Sequence, residues 1–121
     1  MRILCIDDDS DILDTLRMSL ESKGYTVQTA GSAVEGIRRF MEWKPEMVFV
    51  DMMMEEPDSG SVVIKAIRDS GSTVPVYLLS SIGESLCSIS ECSDLAFQDV
   101  LQKPISTGLL FKLVDAYQKN R

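Results

Sequence analysis

Apolar residues in this chain fall into short continuous runs, separated by stretches with helical spacing. The first run, Ile3 to Ile6, ends in Asp7-Asp8-Asp9. Asp9 or Ser10 then caps a helix whose apolar residues Ile12, Leu13, Leu16 and Leu20 share one face, with Gly24 as its stop. Tyr25 to Thr29 alternates apolar and polar, as a half-covered edge strand does. Ser32 and Glu35 form a capping-box pattern. That pattern predicts a second helix with Val34, Ile37 and Met41 on one face, closed by Pro45. Met47 to Val50 is apolar throughout and is expected at the centre of a sheet. Asp58 or Ser59 caps a third helix carrying Val63, Ile64 and Ile67, which ends near Gly71. Val74 to Leu79 is a further strand and runs into Ser80-Ser81. Gly83 to Asp94 is rich in serine and poor in periodicity, a weak helix at best. Val100-Leu101 is a short last strand, and after Lys103-Pro104 a final helix places Leu109, Leu110, Leu113, Val114 and Tyr117 on its buried face.

Strand and helix therefore alternate along the whole chain, the pattern of an α/β protein with a doubly wound parallel sheet and helices on both faces. Right-handed crossovers bring every strand C-terminus to one edge of such a sheet, and ligands bind at that edge. No linker, low-complexity segment or repeat interrupts the pattern, so residues 1–121 are read as one domain.

Composition narrows the chemistry. Nineteen acids against twelve bases give a net charge of −7, which argues against direct nucleic-acid binding and favours cations or basic protein surfaces. The chain contains no histidine, which excludes imidazole zinc sites, Ser-His-Asp triads and histidine acid catalysis. Cys5, Cys87 and Cys92 are an odd number and are read as packing residues, not a disulfide framework. No apolar run nears the roughly 18 residues of a membrane span and no signal-peptide pattern opens the chain, so a cytoplasmic location is expected.

The predicted strand ends carry Asp7-Asp8, Asp51, Ser80 and Lys103. Carboxylates collected in one place repel, and their pKa values rise unless a cation neutralises them. All-oxygen ligation suits a hard divalent ion, Mg²⁺ above all. The three adjacent methionines Met52, Met53 and Met54 are read as packing and loop residues, since no cysteine or histidine accompanies them for a soft metal. A metal, the Lys103 ammonium and the Ser80 hydroxyl around one carboxylate make a receptor for a phosphoryl group, with Asp51 as the nucleophile that forms an acyl phosphate.

With these residues in place the chain resembles the receiver domain of two-component response regulators over essentially its whole length. The resemblance rests on "ILCIDDDSDIL", "PEMVFVDMMM", "PVYLLSS" and "VLQKPI" in that order. It implies the flavodoxin-like five-stranded order 2-1-3-4-5. It further implies Mg²⁺ held by Asp7, Asp8, Asp51 and the Met53 carbonyl, phosphoryl contacts from Ser80 and Lys103, and a histidine kinase or phosphotransfer protein as donor. A downstream effector protein or domain is the implied recipient of the signal, with a phosphorylation-dependent dimer as a further expectation.

Three departures from the family stand out. "DMMMEEPDSG" carries about one residue more than the family's usual loop, and its Glu55 and Glu56 enlarge the acidic field. Ser80 replaces the commoner threonine, keeping the hydroxyl, and Ser81 stands where the family usually has alanine or glycine. Val100 occupies the place of the family's aromatic switch residue, so switching is expected to use another element, with Ile82 to Ser93 as the candidate. Two other readings remain: a receiver that binds a partner without being phosphorylated, and a haloacid-dehalogenase-type phosphatase using Asp7 and Asp9. Against the phosphatase, Asp11 stands where that family has threonine or valine, and the chain lacks the length for a cap domain.

Overall fold

Strand residues here alternate between two apolar layers, and that alternation builds the molecule. In β1 (Arg2–Ile6), Ile3 and Cys5 enter one core cluster while Leu4 and Ile6 enter the other. The same division holds in β3 (Met47–Asp51), with Met47 and Phe49 on one side and Val48 and Val50 on the other. A strand that is apolar at every position is what a sheet covered on both faces requires. The computed structural model describes residues 1–52, 59–80, 99–103 and 105–119.

The sheet is parallel with strand order β2-β1-β3-β4-β5, completed by β2 (Thr26–Ala30), β4 (Val76–Ser80) and β5 (Asp99–Gln102). One face is covered by α1 (Ser10–Glu21) and α4 (Thr107–Lys119), which contribute Leu13, Leu16, Leu20, Leu110 and Val114. The other is covered by α2 (Ala33–Trp43) and α3 (Ser59–Asp69), through Phe40, Val63, Ile64 and Ile67. Phe49 and Tyr77 stack at 5.4 Å between ring centroids beneath the first of these layers. This is the α/β architecture expected from the sequence, including the strand order that the family resemblance implies.

Caps fall where the side chains predict. Asp9 caps α1 by accepting the Asp11 amide, and Ser32 caps α2 by accepting the Glu35 amide. The glycine stops also hold, for Gly24 and Gly71 both lie at positive φ, +91° and +90°.

In two helices the buried face differs from the apolar pattern, broadly in the first and at a single residue in the second. In α2 the buried residues are Gly36 and Phe40, while Val34 is 78% exposed and Met41 41% exposed. Ile37 does pack against the core, but as part of a stripe with Ala33 and Phe40. In α4, Leu110 and Val114 are buried and Leu113 and Tyr117 pack beside them, whereas Leu109 is 46% exposed. The expected weak helix over 83–94, and Cys87 and Cys92 with it, lie outside the described residues. Cys5 is buried among apolar side chains and its thiol is pushed up by that burial, with Asp7 adding to the effect. That is the packing role expected of it.

Candidate metal and phosphoryl centre

Asp7 is the first residue beyond β1. Its amide donates to Ala30 O at 3.1 Å, continuing the ladder with β2, and its Oδ1 accepts the Asp9 amide at 2.9 Å. That local bond turns the chain out of the sheet and into α1. Asp51 ends β3, paired in register with Leu79 of β4. Just past it, Met52 N donates to Leu79 O at 2.9 Å, and Met52 O accepts the Gly60 amide at 3.1 Å. Beyond the end of β5, Lys103 N donates to Ser80 O at 2.7 Å, fastening the lysine to the tip of β4. The parallel sheet thus brings together residues that are far apart in sequence.

Their side chains meet. Asp7, Asp8 and Asp51 each offer an oxygen within 4.8 Å of the others. Asp7 and Asp51 are buried and Asp8 faces solvent. Lys103 Nζ lies 2.8 Å from Asp7 Oδ2 and 3.3 Å from Asp51 Oδ1. Ser80 is also buried, at the end of β4.

Burial is the main force on the Asp51 carboxyl, and the Asp7 charge adds to it. Lys103 opposes both, yet the net result pushes Asp51 up to about 7. Asp8 is raised for the same reasons, desolvation first and then Asp7. On Lys103 burial acts to lower the pKa, but pairing with Asp7 and Asp51 prevails and the ammonium is held above its usual value.

Three carboxylates against one ammonium leave a deficit of two positive charges when all are ionised. Asp7 Oδ2 is fully buried and accepts no directed hydrogen bond among the described residues. Its 2.8 Å approach to Lys103 is a charge pairing. Three converging acids, two of them buried, and a charge deficit of two are the donor set a hard divalent ion fits. Mg²⁺ suits it because one acid is solvent-facing and leaves room for retained water.

Asp7, Asp8, Asp51 and Lys103 are therefore brought together as expected, and Ser80 stands at the end of the neighbouring strand. Met53, Glu55, Glu56, Pro57, Ser81 and the segment Ile82 to Ser93 lie outside the described residues. Asp9, which an Asp-x-Asp phosphatase would need at the reaction centre, instead caps α1 and is exposed. Val100 is half-buried and packs against the core on the α2 and α3 side. In the sequence Gly60 stands out only as the glycine that closes the lengthened "DMMMEEPDSG" loop, with no role in the site. A Cβ there would stand 2.9 Å from Met52 Cα and 3.0 Å from Asp51 O. Its signal was available, for glycine is a poor residue for the first turn of a helix unless space demands it.

A doubly wound parallel sheet with an acidic, lysine-bridged cluster at its carboxyl edge places the chain among flavodoxin-like α/β proteins with a candidate hard-cation site. The chain belongs to the response regulator receiver domain family, whose description matches residues 3–115. It is a signalling module and not a classical enzyme. It is 32% identical over 119 residues to "Response regulator MprA" of Mycobacterium leprae, covering 96% of this chain and 50% of that protein. It is 33% identical over 123 residues to "Transcriptional regulatory protein PrrA" of the same organism, covering 99% of this chain and 51% of that one. The receiver-domain crystal structure from Clostridium thermocellum is similar with a TM-score of 0.82 at 31% identity, covering 95% of this chain and 91% of the other. The chain thus spans about half the length of the curated relatives it matches.

Proposed function

We infer that this chain, taken as one receiver domain over residues 1–121, accepts a phosphoryl group on Asp51 from a histidine kinase or phosphotransfer protein and passes the signal to an effector protein or domain. The observation that carries the reading is the convergence of Asp7, Asp8 and Asp51 within 4.8 Å, with the Lys103 ammonium against the two buried acids. Asp7, Asp8 and Asp51, with the Met53 carbonyl that the family likeness adds, would hold Mg²⁺. When bound, the ion supplies positive charge to the phosphoryl oxygens and keeps the acids ionised.

The chemistry balances on the chain's own groups. An Asp51 oxygen attacks phosphorus in line, the P–N bond of the donor phosphohistidine breaks, and its electron pair returns to the imidazole as the acyl phosphate forms. Lys103 neutralises charge on the equatorial oxygens, and the Ser80 hydroxyl donates to one of them. Hydrolysis by water would reset the domain. The switch is read out through the segment Ile82 to Ser93, since Val100 offers no ring to turn inward. Phosphorylation-dependent pairing of two copies is a natural readout of such a switch.

Incubation with phosphoramidate and Mg²⁺, followed by intact-mass measurement, tests this. One phosphoryl adduct is expected, absent without Mg²⁺ and absent in Asp51→Asn. An adduct that persisted in Asp51→Asn would place the acceptor on another residue and overturn the assignment.

A further inference from the structure

The geometry points to Gly60 as a positioning residue that sets where the Asp51 carboxylate sits, an inference that rests on the phosphoacceptor reading above. Gly60 lies buried in the first turn of α3, and that turn presses on the backbone at the tip of β3. An added Cβ would meet three atoms: Met52 Cα at 2.9 Å, Asp51 O at 3.0 Å and Met52 O at 3.0 Å. All three belong to the main chain, so no side chain can swing aside to make room.

The contrast with Gly36 sharpens the point. A Cβ there would also be too close, 2.6 Å from Ile6 Cδ1, but every atom it meets is in a side chain that can repack. Gly60 has no such outlet, and it is bonded to what it touches, since its amide donates to Met52 O at 3.1 Å. That bond holds Met52 O while Met52 N is held from the other side by Leu79 O. The residue after Asp51 is thus clamped between β4 and α3, and the clamp closes only with hydrogen at the Gly60 α-carbon. Asp51 O is itself one of the atoms touched, so any retreat moves the strand end that carries the nucleophile. The acid cluster tolerates little of this, because reactive geometry lost by about 1 Å lowers rates by about a hundredfold.

Gly60→Ala, with Val62→Gly as its partner variant, tests the role. Val62 is half-exposed on the same helix, so its replacement by glycine weakens α3 without adding an atom near Asp51. Both variants should lose thermal stability. Only Gly60→Ala should weaken Mg²⁺ binding by isothermal titration and lower the phosphoramidate rate constant at saturating Mg²⁺, the latter by about tenfold. Measurements at 10 °C in trimethylamine oxide keep both variants folded by circular dichroism.

A Gly60→Ala protein that binds Mg²⁺ and takes up phosphoryl like the unmodified chain overturns the inference. So does equal loss in Val62→Gly, or a Gly60→Ala chain that stays unfolded in the osmolyte, because Gly60 would then serve folding alone. If the unmodified chain itself neither binds Mg²⁺ nor accepts phosphoryl, the phosphoacceptor reading fails, and the positioning role fails with it.

Discussion

Asp51 sits where burial and the neighbouring Asp7 both oppose ionisation, while Lys103 favours it. Its carboxyl rises from 3.8 to about 7 in the metal-free fold, so the folded state binds that proton more tightly than the unfolded chain. By linkage, this group's stabilising contribution is complete below about pH 4 and declines as pH rises through about 7. Metal binding runs the other way, because a cation needs the carboxylate. Below pH 7 the proton should compete with Mg²⁺ and weaken its apparent affinity by up to about tenfold per unit. Isothermal titration with Mg²⁺ from pH 5.5 to 8.5 should show affinity climbing to a plateau above about pH 7.5. A flat profile over that range would mean that Asp51 is ionised throughout and that Lys103 outweighs the burial.

Among the elements, α2 holds the most instructive difference between sequence and structure. Its apolar residues support two overlapping stripes, Val34-Ile37-Met41 and Ala33-Ile37-Phe40, and a 3.6-residue period cannot choose between them. The choice is made by Gly36, which lies in the buried stripe and lets the helix approach within contact of Ile6. A glycine adds nothing to a hydrophobic pattern, so the deciding residue was silent. Phe40→Ala should therefore cost about 3–5 kcal/mol, whereas Val34→Ala should change stability by less than about 0.5 kcal/mol, as read by urea unfolding. By contrast β1, β3, α1 and α3 were legible almost to the residue, because uninterrupted apolar runs and glycine stops leave few alternatives. Position made the acids and lysine of the candidate site legible: Asp7 and Asp51 each end an apolar run, Asp8 follows Asp7, and Lys103 follows the short last strand. Gly60 was not legible, since its importance is the space it leaves empty.

At the scale of the whole molecule the sheet brings Asp7 and Asp51, two buried acids of a chain with net charge −7, to one edge and supplies Lys103 as their local countercharge. A sequence selected for stability alone would not bury both, so the arrangement marks where fold stability is given up for chemistry. This predicts opposite signs for one substitution under two conditions. In EDTA at pH 7.5, Asp51→Asn removes a buried like charge facing Asp7 and keeps the Asp7 to Lys103 pair. The amide forfeits its own pairing with Lys103 but sheds the burial and like-charge penalties that push the Asp51 carboxyl up, so the variant should be more stable, by on the order of 1 kcal/mol. With Mg²⁺ at ten times its dissociation constant, the unmodified protein gains about 1.4 kcal/mol by mass action, which for a domain of this size is a rise of about 5 °C in Tm. Asp51→Asn should lose most of that rise. Calorimetry of both proteins with EDTA and with Mg²⁺ should therefore show the variant melting higher in EDTA, with the gap narrowed by Mg²⁺. A variant that melts lower in EDTA would show that pairing with Lys103 outweighs the burial and repulsion at Asp51, making the buried acids net stabilising even without metal.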